Sequence, residues 1–172
     1  ELSTEKARQA LPRELPYKDA VYNVSRVGLL PAAMNPVVLA QAAQQGKSGV
    51  AAVPAQDADT CACAGGTRES AFADELAAAQ AQSNALLFTA TQDKLHQPYR
   101  GALMPPSTEL IALFRSKGYA TAVSGAGPCV LVLHYGNARE AIDQIASEQL
   151  ASGHWRVLHL PINTAGVEIE RR

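Results

Sequence analysis

The sequence has no block of basic residues, no long apolar run and few cysteines, and each absence removes a class of function. Its 15 Lys and Arg stand against 16 Asp and Glu, for a formal net charge of −1. That balance leaves no electrostatic footprint for nucleic acid or for an anionic membrane surface. No apolar stretch approaches the roughly 18 residues a membrane-crossing helix requires. No basic, apolar and small-residue leader opens the chain either, which makes the cytoplasm the expected location. The three cysteines are Cys61, Cys63 and Cys129, an odd set with two of them separated by one residue. Such a set is a poor disulfide framework, and Cys61-Ala62-Cys63 has no second ligand pair nearby for zinc. These read as free thiols in a reducing compartment.

Two phosphate-binding signatures are missing as well. Lys47-Ser48 follows Gly46, but the earlier glycine of a P-loop is absent at the required spacing. Gly125-Ala126-Gly127 lacks the third glycine of a dinucleotide fingerprint, and a strand rather than a helix follows it. What the chain does have is 47% apolar and 18% charged residues over 172 positions. That is enough for one folded domain with a sizeable core.

Hydropathy patterning divides the chain. Ser3-Thr4-Glu5-Lys6 reads as a helix cap and first turn, in a short helix over 3–10 that Leu11-Pro12 ends. Glu1 is not Met, and a start at a helix cap suggests the cut end of something longer. Pro16 opens a second helix, with Ala20, Val21, Val24, Val27 and Gly28 spaced for one packed face and a kink or stop expected between Pro31 and Pro36. Residues 44–70 have weak periodicity and are expected to form a long flexible insertion. Periodicity returns from Phe72 to Leu95, one or two amphipathic helices ending before Pro98. Ser107 is expected to cap a further helix carrying Leu110, Ile111 and Phe114, with Gly118 as its left-handed end.

The pattern then switches to strands. Ala120–Val123 and the apolar run Cys129–Tyr135 flank Ser124-Gly125-Ala126-Gly127-Pro128, and the second run suits a central strand. Helix returns over 137–151, and Trp155–Leu160 with Gly166–Ile169 read as a closing hairpin. Helices segregated against an antiparallel sheet make an α+β fold. The order at the end matches part of a ferredoxin-like split unit, with one strand missing at the front.

Three segments could carry chemistry. In Ser124-Gly125-Ala126-Gly127, two glycines flank one small residue, so the backbone can closely approach another group, and exposed N–H groups could face an anion. A plain tight hairpin with positive φ at both glycines accounts for the same residues. Asn23 and Arg26 share a face of the second helix, and an arginine at the edge of a buried stripe needs a carboxylate partner or a ligand. A snorkelling surface arginine is the alternative. His96-Gln97-Pro98-Tyr99-Arg100 places Arg100 just after a helix-stopping proline, where its planar fork suits a carboxylate or phosphate. An exposed helix-ending loop would look the same, with His96 a packed helix-end residue.

Taken in order, Leu11-Pro12, Asn23-Val24-Ser25-Arg26, His96-Gln97-Pro98-Tyr99-Arg100 with Leu103-Met104-Pro105, and Ser124-Gly125-Ala126-Gly127-Pro128 resemble the bacterial homoserine kinase family. That family belongs to the galactokinase, homoserine kinase, mevalonate kinase and phosphomevalonate kinase (GHMP) superfamily. The resemblance covers nearly all of the chain outside 44–70, and the glycine turn is its least specific part. It implies a GHMP kinase C-terminal domain over 1–172, with an antiparallel ferredoxin-like sheet packed against helices. It also implies phosphorylation of the L-homoserine hydroxyl by Mg-ATP, giving O-phosphohomoserine for threonine synthesis. By motif position the two arginines that hold the substrate carboxylate fall on Arg26 and Arg100. Ser124, Gly125, Ala126 and Gly127 fall on the turn that lies near the nucleotide phosphates. Asn23 and His96 would position or pack.

The departures from the family matter equally. The superfamily's Gly-rich phosphate loop, its Mg-binding acidic residue and its hydroxyl-contacting residues are absent from these 172 residues. ATP and Mg would therefore be held mainly by an N-terminal domain, the expected partner, and this chain alone should not turn over. No catalytic residue and no metal ligand is expected within it, and a homodimer stays open. Two other readings share the glycine turn. One is another GHMP small-molecule kinase, of the mevalonate or diphosphocytidyl-methylerythritol type. The other is a non-catalytic amino-acid-binding module.

Overall fold

The computed structural model describes residues 2–35, 68–160 and 169. These fall into two compact units, Glu1–Gly136 and Asn137–Arg172, each taken here by itself. The expected insertion over 44–70 lies outside the described residues except for its last three positions. Those belong to a helix, because the helix that follows starts at Arg68.

In the first unit, α1 spans Thr4–Gln9 and starts where Ser3 Oγ accepts the Lys6 N–H at 3.1 Å. That bond satisfies one of the donors a helix start leaves orphaned. Helix α2 follows over Tyr17–Val27, and α3, Leu30–Ala33, has Pro31 in its first turn. The break thus falls at Gly28–Leu29, before Pro31, where a proline costs no hydrogen bond. Helix α4, Arg68–Ala90, is about 34 Å long at 1.5 Å per residue. It stops five residues short of Leu95. The chain then forms a short helix, α5 (Gln97–Arg100), a 3₁₀ turn (Gly101–Leu103) and α6 (Pro105–Ser116). Pro98 opens α5 rather than stopping the previous helix, which places Arg100 on a helical turn and not in an extended one.

Ser107 does not cap α6. It lies in the first turn, is buried, and its hydroxyl donates to the Pro128 carbonyl at 2.6 Å. Leu110 and Phe114 of α6 are buried as their spacing requires, and Gly118 ends the helix at φ +85°. Strands β1 (Ala120–Val123) and β2 (Val130–Leu133) pair antiparallel, with Ala120 opposite Leu133 and Val123 opposite Val130. Among the described residues this pair is the whole sheet. The described residues show no wider, ferredoxin-like sheet, and Leu131 of the strand expected to be central is exposed.

The second unit contains α7 (Arg139–Ile145) and α8 (Ser147–Ala151), two short helices where one was expected. Residues 155–160 form no ladder. A strand needs a partner, and the other arm of the expected hairpin, 166–169, lies outside the described residues apart from Ile169. His159 Nε2 instead sits 3.1 Å from Asp143 Oδ2 of α7.

The core of the first unit is built from small residues. Ala33 of α3, Leu87 of α4 and Ala120 of β1 form its centre, with Leu30, Phe88, Leu133 and Tyr135 packed around them. Alanines let α3 and α4 approach closely, but each supplies little apolar area, so polar ties carry much of the definition. Asn84 of α4 is one such tie. Its amide accepts the Tyr135 N–H at 2.8 Å and donates to the Tyr135 carbonyl at 3.1 Å, pairing the end of β2 as a strand would. Arg115 of α6 is another, donating to the carbonyls of Phe88 (2.8 Å) and Thr121 (3.0 Å) and to Thr91 Oγ1 (3.1 Å). The Phe88 carbonyl is one of those the last turn of α4 leaves unpaired. The expected packed face of α2 is, by contrast, open: Val21, Val24 and Val27 are exposed, and Tyr17 is 85% accessible.

Arg115→Met should lower the stability of the chain by about 1–3 kcal/mol in urea unfolding, because it removes the guanidinium donors from the Thr121 and Phe88 carbonyls, leaving the latter only a long bond from the Thr91 hydroxyl, while keeping the apolar stem. A conservative Val24→Thr on the open face of α2 should change it by less than about 0.5 kcal/mol.

Candidate functional site

The segment between α4 and α5 turns a helix end into a helix start within six residues, and Asp93 organises it. Its Oδ1 accepts from Leu95 N–H at 3.0 Å, and its Oδ2 accepts from His96 N–H at 2.8 Å and Gln97 N–H at 2.5 Å. The fourth donor comes from α2: Asn23 Nδ2 donates to Asp93 Oδ1 at 2.5 Å. Asn23 Oδ1 in turn accepts the Lys94 N–H at 2.9 Å, so both ends of the amide are fixed. Burial alone would raise the Asp93 pKa. The hydrogen bonds from Gln97, Asn23, Leu95 and His96 outweigh it and hold the carboxyl below its ordinary value.

Beyond that corner the chain wraps the glycine turn. Gln97 Oε1 accepts the Val123 N–H at 3.3 Å. Arg100 donates from Nε to the Ala7 carbonyl at 3.0 Å and from a terminal nitrogen to the Gly125 carbonyl at 3.4 Å. Met104 is buried beneath the turn: a Cβ built on Gly127 would lie 2.5 Å from its sulfur. With Ser107 holding Pro128, the residues from Gln97 to Ser107 follow the turn from one side to the other. His96-Gln-Pro-Tyr-Arg100 and Leu103-Met-Pro105, next to each other in the chain, thus pack with the more distant Ser124-Gly-Ala-Gly-Pro128 as one structure.

Both glycines of the turn have positive φ, +63° at Gly125 and +90° at Gly127, but they serve different needs. Gly127 is pressed against Met104 and Val123, whereas a Cβ at Gly125 would meet nothing within 4 Å. Gly127 allows close packing, and Gly125 leaves open space at the tip. The Ser124 N–H closes the hairpin onto the Cys129 carbonyl at 2.8 Å, and the Gly127 N–H turns back to the Ser124 carbonyl at 3.2 Å.

A cleft of about 320 Å³ lies between these elements. Asn23 and Val27 of α2 line it, together with Ala90–Asp93 at the end of α4, His96, Gln97 and Arg100, and Ala122, Val123 and Gly125. Of the residues singled out in the sequence, the structure therefore brings Asn23, His96, Arg100 and Gly125 together. Arg26, Ser124, Ala126 and Gly127 are not among the lining residues. Arg26 lies over the Tyr22 ring, 3.9 Å from its centre, and donates to Ser25 Oγ at 3.0 Å. Its Nε is buried without a hydrogen bond. Lys94 also lies over the same ring, its Nζ 4.3 Å from the centre, and the Tyr22 hydroxyl donates to Gln92 Oε1 at 2.5 Å. Sequence reasoning missed Asp93 and Gln92, and named Met104 only as part of a motif, without its place under the turn. The signal for Asp93 was an Asp three residues before His96-Gln97-Pro98, a spacing that suits a cap.

Comparison with known proteins defines the class first. Residues 70–151 match the family described as GHMP kinases C terminal. Along nearly its whole length it is then similar to homoserine kinases. It is 32% identical over 171 residues to that of Clavibacter michiganensis subsp. michiganensis, covering 98% of this chain and 39% of the relative. It is 33% identical over 172 residues to that of Leifsonia xyli subsp. xyli, covering 99% and 38%. A 65-residue stretch is 46% identical to the homoserine kinase of Cutibacterium acnes. The resemblance carried by the motifs is borne out, and the chain spans about two-fifths of the length of these relatives. No described helix is long and apolar enough to cross a membrane, and the described residues contain no cluster of three or more His, Cys, Asp or Glu suited to a metal.

Gly127→Ala should destabilise the chain more than Gly125→Ala, about 3 kcal/mol against about 1–2 kcal/mol by thermal or urea unfolding. The first adds a clash with Met104 to the left-handed backbone cost that both share. Asp93 makes a separate prediction about acid stability. A depressed carboxylate contributes stability that is complete above its unfolded pKa and lost as pH falls through the folded one. Stability measured from pH 5 downward should therefore fall less steeply in Asp93→Asn than in the parent chain.

Proposed function

We propose that this chain is the substrate-side domain of a homoserine kinase, which transfers the terminal phosphoryl group of Mg-ATP to the hydroxyl of L-homoserine. One observation carries the reading: Arg100, a carboxylate-binding fork, and Gly125, the open tip of the glycine turn, line the same cleft. A zwitterionic amino acid needs a cation for its carboxylate and room for a phosphate at the far hydroxyl, and the cleft offers both kinds of surface.

In this reading Arg100 receives the substrate carboxylate. Two of its N–H groups are spent on the carbonyls of Ala7 and Gly125, which fixes the plane of the guanidinium and leaves the rest of the fork for a ligand. Arg26 is the second arm of the clamp, with its buried Nε the group awaiting a partner. To serve there it moves off the Tyr22 ring, trading a cation–π contact for a charge-assisted bond. Asn23 and His96 orient the amino-acid end. Ser124 to Gly127 lie against the nucleotide phosphates. The hydrogen bonds of the turn use the N–H groups of Ser124 and Gly127, so those of Gly125 and Ala126 are available to an anion.

ATP supplies the phosphoryl group and Mg²⁺ neutralises its charge; both are held mainly by an N-terminal domain that this chain does not contain. The open valine face of α2 is the surface we assign to that domain. The chain alone binds without turning over, it works in the cytoplasm, and the product serves threonine synthesis.

Calorimetric titration with L-homoserine tests the reading. The chain should bind L-homoserine and not mevalonate, and Arg100→Ala should weaken binding by at least about tenfold, the value of one charge-assisted hydrogen bond. Equal binding of both ligands, or no loss in Arg100→Ala, would remove the assignment.

A further inference from the structure

The cleft-lining groups come from elements far apart in the chain. Asn23 is on α2, and His96, Gln97 and Arg100 are on the turn into α5 and on α5 itself. One side chain touches both sets. Asp93 accepts from Asn23 Nδ2 with one oxygen and from the N–H groups of His96 and Gln97 with the other. An ionised carboxylate offers about four acceptor sites, and here four N–H donors from the protein fill them. The Asp93 side chain is only 13% accessible. It is therefore poorly placed to be a ligand itself and well placed to hold the residues that are.

We infer that Asp93 is the positioning residue of the cleft, a single carboxylate that holds the Asn23 amide and the Arg100 turn in a fixed arrangement around it. This deepens the reading of the cleft as an amino-acid site and rests on it. The Asn23 amide is held at both ends, by Asp93 and by the Lys94 N–H, which leaves one of its N–H groups for a ligand in a fixed direction. Cutting the Asp93 link frees that amide to rotate and uncaps the turn that aims Arg100. A cap that matters only for stability would lower the melting temperature without selectively weakening one ligand.

The test is a titration of the 172-residue chain with L-homoserine, followed by ¹H–¹⁵N NMR, which also reads the Asn23 side-chain amide and the Arg100 Nε–H directly. In Asp93→Asn the dissociation constant should rise about tenfold or more, as for the loss of a charge-assisted bond. Both side-chain resonances should move, while the backbone peaks of Phe114 and Thr121 stay in place. Asn23→Ala should weaken binding similarly, and the double variant should lose clearly less than the sum of the two single losses, because the two residues share one bond. Wild-type affinity in Asp93→Asn, or additive losses in the double variant, overturns the inference while leaving the homoserine reading intact. If Asp93→Asn does not fold, Asn23→Ala decides. Its His96–Arg100 amide peaks should then shift, and peaks that stay put overturn the inference. A parent chain that takes no L-homoserine overturns the reading under Proposed function and this inference with it.

Discussion

Helix ends leave backbone groups without partners, and the first unit of this protein is arranged around satisfying them at one place. Where α4 stops and α5 starts, carbonyls point one way and N–H groups the other within a few residues. Arg115 reaches from α6 to the Phe88 carbonyl, and Asp93 collects the N–H groups of Leu95, His96 and Gln97. Each uses its remaining capacity on a distant element, Arg115 on β1 and Asp93 on α2. A corner that has to be capped thereby becomes the junction through which α2, α4, α6 and the hairpin are held in one arrangement.

An alanine-rich core makes this junction more important than it would be in a larger-residue interior. Ala33, Leu87 and Ala120 allow close approach but bury modest apolar area, and small side chains specify orientation weakly. Directional bonds supply what shape does not. The Asn84 amide, which pairs the backbone of Tyr135, and the Ser107 hydroxyl, which holds Pro128, belong to the same strategy. Directional bonds are concentrated around the glycine turn and the cleft, while the face of α2 is left open.

The glycine turn shows how one motif can answer both of its competing explanations. As a tight hairpin it needs positive φ at Gly125 and Gly127, and both have it. Gly127 is fully explained by packing, since Met104 occupies the space a side chain would need. Gly125 has no such neighbour and stands at the cleft, so its lack of a side chain keeps open a space that the fold itself does not use. The hairpin accounts for the backbone of both glycines, and Gly127 alone is in addition pressed by a neighbouring side chain.

Much of this was legible in the sequence because it is local. Ser3 as a cap, the hairpin around Ser124–Pro128 and the left-handed end at Gly118 follow from residue type and spacing within a few positions. The order of the motifs was enough to indicate the kinase family. Other features depended on contacts that no local window contains. Ser107 looks like a cap until Pro128 is placed beside it, and Pro98 looks like a stop until Asp93 supplies a cap for a new helix. The valines of α2 are spaced for burial, yet periodicity cannot say whether another surface covers them. The sequence alone determined most of the helices of the first unit, the hairpin around Ser124–Pro128 and the superfamily they resemble, but not the strand expected over Trp155–Leu160. Arg26 stacks on Tyr22 within its own helix, a local contact, whereas only the tertiary structure decided that Arg100 and Gly125 share a cleft, because that placement is set by hydrogen bonds between residues some 25 to 90 positions apart.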